Sequence, residues 1–167
     1  MEIRKALYDD INDMMKIIKE AQDYLKSKNI DQWQDGYPNH DSFIDDINKG
    51  HSYVLVDNNE IIATMYFSFE EDPCYRVIDG AWKKDGLYAV IHRIAVASSK
   101  KGQAVAKVLL DYAVSECHKE NVDSIRIDTH IDNLSMQRFL YKNGFELCGT
   151  ITLMSGASRI ALQKILV

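Results

Sequence analysis

The sequence predicts a mixed α/β fold built on one sheet with helices on both faces. Three observations carry that expectation. Apolar residues recur at helical spacing near the start, a hairpin signal occupies "HSYVLVDNNEIIATMYFSF", and strand and helix patterns alternate after residue 87, which requires at least one parallel crossover.

From Asp10 to Lys26, Ile11, Met14, Met15, Ile18, Ala21 and Leu25 follow the helical period, with Asp9 placed as the N-cap. "SKNIDQWQDGYPNH" breaks that period, and "DSFIDDINKG" reads as a second helix ending near Gly50. Asn58 and Asn59 separate two β-branched runs and tolerate the positive φ of a tight turn. "LYAVIHRIAV" is a strand expected in mid-sheet, its apolar run interrupted only at His92 and Arg93. Between Gly102 and Lys119, Val105, Val108, Leu109, Tyr112, Ala113 and Cys117 line one helical face. "SIRIDT" is a strand, "NLSMQRFLYKN" a helix closed by Gly144, and "FELCGTITL" and "SRIALQKIL" are the last two strands. The expected order is ααβββαβαββ.

The chain has 167 residues, no repeat or linker and two prolines, so 1–167 is expected to form a single domain. Its three cysteines are scattered, which argues against a disulfide framework or a zinc site and for a cytoplasmic protein without metal. No apolar run has the length of a membrane span. A net charge of -5 argues against nucleic-acid or anionic-membrane partners. An anion site would have to be local, and Lys100, Lys101 and Lys107 cluster at one turn.

That turn lies in "AVASSKKGQAVAKVLLDYA". A strand running into a helix start presents unpartnered N–H groups and the positive end of the macrodipole. Gly102, Ala104 and Ala106 are small residues at alternate positions, which would let a phosphate approach the backbone. An ordinary turn with exposed lysines fits the same stretch.

"HRIAVASSKKGQAVAKVLLDYA" and "RIDTHIDNLSMQRFLYKNGFELCG" together resemble the GCN5-related N-acetyltransferase (GNAT) superfamily. Its loop pattern Q/R-x-x-G-x-G/A falls on Lys101, Gly102, Gln103, Ala104, Val105 and Ala106, with Lys in place of Arg or Gln and Ala104 in place of the first glycine. The N-x(10)-G-F spacing from Asn133 to Gly144 and Phe145 also matches.

The resemblance implies a mostly antiparallel central sheet with a splayed parallel strand pair, and acetyl-CoA as cosubstrate. Its pyrophosphate would lie on backbone N–H groups from Gly102 to Lys107, and its pantetheine arm along Ile94 and Val96. The Ile94 N–H would polarise the thioester, and Asn133 would hold pantetheine or a water. The implied activity is acetyl transfer to a primary amine of a small molecule or peptide. A non-catalytic acyl-CoA-binding module of the same fold is the alternative. Homodimers are frequent in the family.

His92 is the candidate general base. It stands two residues before Ile94, on the same side of a regular strand, and its ordinary pKa of about 6.5 suits the task. "IHRIAV" also resembles the corresponding strand of the arylalkylamine acetyltransferases. A core histidine satisfied by a neighbour is the other reading. The tyrosine that usually serves as general acid would fall on Leu140, and Tyr141 is one place late. Asp128 and His130 end their strand where they could bind an amine or relay its proton, or organise the loop. The resemblance puts the acceptor near "IDQWQDGYP", where Trp33 and Tyr37 are candidate contacts or covers for a core edge.

Overall fold

A computed structural model describes residues 1–167. Its strands are β1 (Glu2–Lys5), β2 (Ser52–Asp57), β3 (Glu60–Ser68), β4 (Asp79–Gly80), β5 (Ala89–Val96), β6 (Ser124–Thr129), β7 (Phe145–Thr152) and β8 (Ser158–Ile165). The helices are α1 (Ile11–Ser27), α2 (His40–Asn48), α3 (Val105–Lys119) and α4 (Leu134–Lys142). The sheet order is β1-β2-β3-β5-β6-β8-β7-β4. One pair, β5 with β6, is parallel, at Ala89↔Ile125 and Val90↔Arg126. The sheet is otherwise mostly antiparallel, as the sequence led us to expect.

The chain divides into two compact units, Met1–Phe67 with His92–Ser115, and Ser68–Ile91 with Glu116–Val167. In the first, β1 pairs with β2 and β2 with β3, all antiparallel. The β2–β3 hairpin turns at Asn58 (φ 49°) and Asn59 (φ 64°), the two left-handed residues that a two-residue loop matched to strand twist demands. Ile11, Met14, Ile17 and Ile18 of α1 bury their helical stripe against Ala6, Phe43, Val54 and Ala95. Asn39 caps α2, its side chain accepting from the Ser42 N–H at 3.0 Å while the Ser42 hydroxyl accepts from the Asn39 N–H at 2.7 Å.

Helix α1 begins differently from the sequence reading. A 3-10 turn at Tyr8–Asp10 precedes it, and Asp10 rather than Asp9 takes the N-cap position. The Asp10 carboxylate is turned away from the helix, accepting from Arg4 Nη1 at 2.7 Å, Arg4 Nη2 at 3.0 Å and the Leu7 N–H at 2.7 Å. Strand β1, which holds Arg4, carries too much charge and too few residues to register in the sequence pattern, as is common for edge strands.

In the second unit, β6 pairs with β8 and β8 with β7. Strand β4, also absent from the sequence reading, is two residues long and exists through close backbone approach. A Cβ on Gly149 would stand 2.1 Å from Asp79 O, and one on Gly80 2.3 Å from Cys148 O. Arg126 lies between the rings of Trp82 (4.2 Å) and Tyr88 (4.0 Å) and donates to Lys84 O at 2.9 Å. Gln163 reinforces the same spot, accepting from the Lys84 N–H and donating to Lys84 O, each at 3.0 Å.

The hydrogen bond from Arg4 holds the Asp10 carboxyl below its ordinary pKa of 3.8, against the opposing effect of burial. Asp10→Asn should therefore cost about 1–2 kcal/mol at neutral pH, discounted for the partial exposure of Arg4. Because the folded-state pKa is the lower one, this stabilisation is complete above the unfolded value. It disappears as pH falls through the folded value, so urea unfolding curves of the two proteins should converge in acid.

Candidate active site

The chain leaves β5 at Val96, passes a 3-10 turn at Ser98–Lys100, and enters α3 at Val105, three residues later than the sequence pattern indicated. The delay is conformational, since Gly102 (φ 79°) and Ala104 (φ 59°) are both left-handed. Ala104 occupies the position of the first patterned glycine and adopts the backbone that glycine would favour. Gln103 donates its N–H to Lys100 O at 3.4 Å, and Val108 donates to Ala104 O at 3.3 Å. Between these bonds, the N–H groups of Gly102, Ala104, Val105, Ala106 and Lys107 have no backbone acceptor. Nothing lies within 4 Å of where a Gly102 Cβ would be, so the approach is open.

The lysines of this turn are already engaged. Lys101 Nζ sits 4.1 Å from the centroid of the Tyr24 ring, and Lys107 Nζ pairs with Asp111 at 2.7 Å. The Ser98 hydroxyl bonds to Glu20, which ties the turn to α1. Positive potential in the turn therefore comes first from oriented N–H groups.

Upstream in β5, Arg93 has φ 49°, which interrupts the two-residue alternation of the strand. The His92 ring lies 5.5 Å from the Tyr66 ring, and the Arg93 guanidinium 4.7 Å from the same ring. Consecutive residues of a regular strand would point to opposite faces. Two-residue spacing therefore does not set His92 and Ile94 on one side of this strand, because left-handed Arg93 lies between them.

Arg93 makes a bidentate ion pair with the buried Asp46 of α2, Nη2 to Oδ1 at 2.7 Å and Nε to Oδ2 at 2.8 Å, and also bonds to the Tyr37 hydroxyl. Burial pushes the Asp46 carboxyl up from its usual range against the pull of Arg93. Burial also opposes the Arg93 charge, but Tyr37 and Asp46 outweigh it and raise the guanidinium pKa. Trp33 (φ 60°) packs against the core around Ile18 and Phe43, whereas Tyr37 is 39% exposed.

The second unit holds Asp128, His130 and Asn133. Asp128 accepts from the Tyr75 hydroxyl at 2.7 Å. Tyr75 is fully buried, and burial together with the Asp128 charge pushes its phenol well above the usual value, fixing it as a donor. His130 Nδ1 accepts from the Asp132 N–H at 3.0 Å, a loop-organising bond. Asn133 caps α4, accepting from the Met136 N–H at 3.2 Å. Leu140, at the expected acid position, is buried, and Tyr141 is exposed. No group of three or more His, Cys, Asp or Glu side chains is placed to hold a metal, and no helix is long and apolar enough to cross a membrane.

Arg93 and Asp46 escaped the sequence reading of the site. A signal existed, because two consecutive polar residues, His92 and Arg93, break an otherwise apolar strand. A buried arginine needs a partner, and which of the many acids supplies it is a tertiary fact.

A strand leading through a left-handed turn with a row of open N–H groups into a long helix is the arrangement of an acyl-CoA-type transferase fold. The comparisons agree: residues 12–145 match the model of the Acetyltransferase (GNAT) family, and the chain belongs to that family. It is 26% identical over 149 residues to a Bacillus subtilis protein described as uncharacterized N-acetyltransferase YesJ, covering 86% of this chain and 81% of that one. A GNAT-family acetyltransferase structure from Streptococcus agalactiae superposes with a TM-score of 0.89 at 32% identity, covering 99% of this chain and 95% of the other. The PaiA N-acetyltransferase of Thermoplasma acidophilum, solved in complex with coenzyme A, shares the fold at TM-score 0.73 and 16% identity, with 98% of each chain covered.

The left-handed Ala104 gives a direct test of the turn. Ala104→Gly should relieve its strain and stabilise the protein by about 0.5–1 kcal/mol, whereas Ala104→Val should destabilise it by at least as much. Thermal unfolding of both variants reads the sign.

Proposed function

We propose that the protein is an acetyl-CoA-dependent N-acetyltransferase acting on a primary amine of a small molecule or peptide, with residues 1–167 working as one domain. The observation that carries this reading is the row of unpartnered N–H groups from Gly102 to Lys107 in a chain of the GNAT family. Its relatives support it, one through its N-acetyltransferase name and another through the coenzyme A in its structure.

The donor supplies an activated acetyl thioester. The open N–H groups of Gly102, Ala104, Val105, Ala106 and Lys107 suit its pyrophosphate, and the empty space over Gly102 leaves room for it. Gln103 contributes through its place in the turn, its N–H being committed to Lys100. Lys101 adds charge from its seat on Tyr24. Backbone groups of Ile94 and Val96 align the pantetheine arm, and the Ile94 N–H faces negative charge developing on the carbonyl oxygen.

An ammonium cannot attack, so one proton must leave the acceptor first, and His92 takes it. Asn133 steadies the arm or a water. Tyr37 and Trp33 border the acceptor in the first unit. Asp128 and His130 serve the acceptor's charge in the second. With Leu140 at the usual acid position, the thiolate leaves without a tyrosine proton donor.

Acetyl-CoA and CoA should raise the unfolding temperature while NADH and ATP do not. His92→Gln should lower kcat roughly 100- to 1,000-fold and leave CoA affinity in calorimetry within about twofold of wild type. Turnover unaffected by that change would remove His92 as the base. Gly102→Pro, which cannot adopt φ 79°, should weaken CoA binding at least tenfold, and unaltered affinity would remove the turn as the cradle.

A further inference from the structure

The strongest cluster outside the CoA turn is centred on Arg93. Its backbone is left-handed (φ 49°), and only 13% of its side chain is exposed. It meets Asp46 of α2, the Tyr66 ring of β3, and the hydroxyl and ring of Tyr37 in the α1–α2 connection.

Tyr37 is held from a second side. Gln22 of α1 donates its side-chain amide to Tyr37 O at 3.3 Å, and Gln34 donates its own amide to Gln22 O at 3.0 Å. The α1–α2 connection is otherwise irregular, with left-handed Trp33 and Gly36. Arg93, the residue next to His92, gives it a charged anchor to β5.

We propose that Arg93, charged and aimed by Asp46, is a positioning residue that latches the 32–39 segment through Tyr37 beside His92, and so sets the acceptor side of the site. The proposal rests on the acetyltransferase reading for its acceptor, and on geometry alone for the latch. A planar guanidinium suits this task, because it can grip a carboxylate with two N–H groups while a third reaches the phenol and its face lies on an aromatic ring. Asp46 does not reach the acceptor. Its part is to hold Arg93 in the one orientation that meets Tyr37.

The test uses Tyr37→Phe, which deletes only the hydroxyl, and Asp46→Asn, which breaks the grip but leaves a guanidinium short of its counter-charge. Amide hydrogen exchange across 32–39 is measured in both, together with KM for the amine, kcat, and the acetyl-CoA dissociation constant. The expected result is exchange at least tenfold faster in that segment. The amine KM should rise at least fivefold, with kcat and acetyl-CoA affinity within twofold for Tyr37→Phe. The double variant should be no worse than Asp46→Asn alone, since both substitutions cut the same connection.

Unaltered exchange in Tyr37→Phe overturns the latch even if Asp46→Asn fails to fold. Faster exchange with an unaltered amine KM overturns the positioning role. Wild-type protein that releases no thiol with any amine overturns the acetyltransferase reading instead, and the exchange measurement still decides whether Arg93 holds the segment.

Discussion

The bidentate pair between Arg93 and Asp46 is the constraint on which the first unit's functional face depends. Burying a guanidinium and a carboxylate costs several kcal/mol per ion, and only close geometry with further hydrogen bonds recovers it. Here that geometry is available because Arg93 leaves the β conformation and turns its side chain beside Tyr66. The strand irregularity and the ion pair therefore explain each other. A straight β5 would send Arg93 away from Asp46, and without Asp46 there would be nothing to offset the cost of a left-handed arginine.

A second left-handed site, Ala104, organises the turn after β5 in a different way. Successive residues that depart from the helical or extended conformation point their N–H groups into one concavity, which makes an anion site out of backbone alone. The side chains nearby do not change this reading. Lys101 faces Tyr24 and Lys107 faces Asp111, so their charges are partly spent before any ligand arrives. The turn is thus shaped by its backbone rather than by the lysine that stands where the resembled pattern has arginine or glutamine.

Much of the fold was legible because long periodic segments declare themselves. The stripe of α1, the Asn58-Asn59 hairpin and the strand–helix alternation after residue 87 all follow from side-chain period and turn chemistry. What escaped was set by tertiary contact. Strand β4 is two residues, Asp79 and Gly80, that pair with β7 only because glycines allow the backbones to approach. The sequence placed the α1 cap at Asp9, and the shift to Asp10 goes with the grip of Arg4 on the Asp10 carboxylate. In the candidate site, residue types drew attention to His92 and the Gly102 turn, whereas the Arg93–Asp46 pair depended on a φ angle that no local pattern specifies.

Arg93, largely buried, and Arg126, buried, satisfy their charges in different ways. Arg93 has a carboxylate, a phenol and neighbouring rings, and each partner comes from a different element of its unit. Arg126 has two rings and a carbonyl oxygen, and burial lowers its pKa. Cation–π contacts stabilise a desolvated guanidinium by about 2 kcal/mol, which is well below what a bidentate carboxylate supplies. Arg126 thus closes the segment containing Trp82, Lys84 and Tyr88 over β6. The same segment packs against the buried Tyr75, whose ring meets those of Trp82 and Tyr88 at tilted angles. Tyr75 in turn stays protonated and donates a hydrogen bond to Asp128. Asp128, at the end of β6, is therefore oriented by a phenol that itself is fixed by burial.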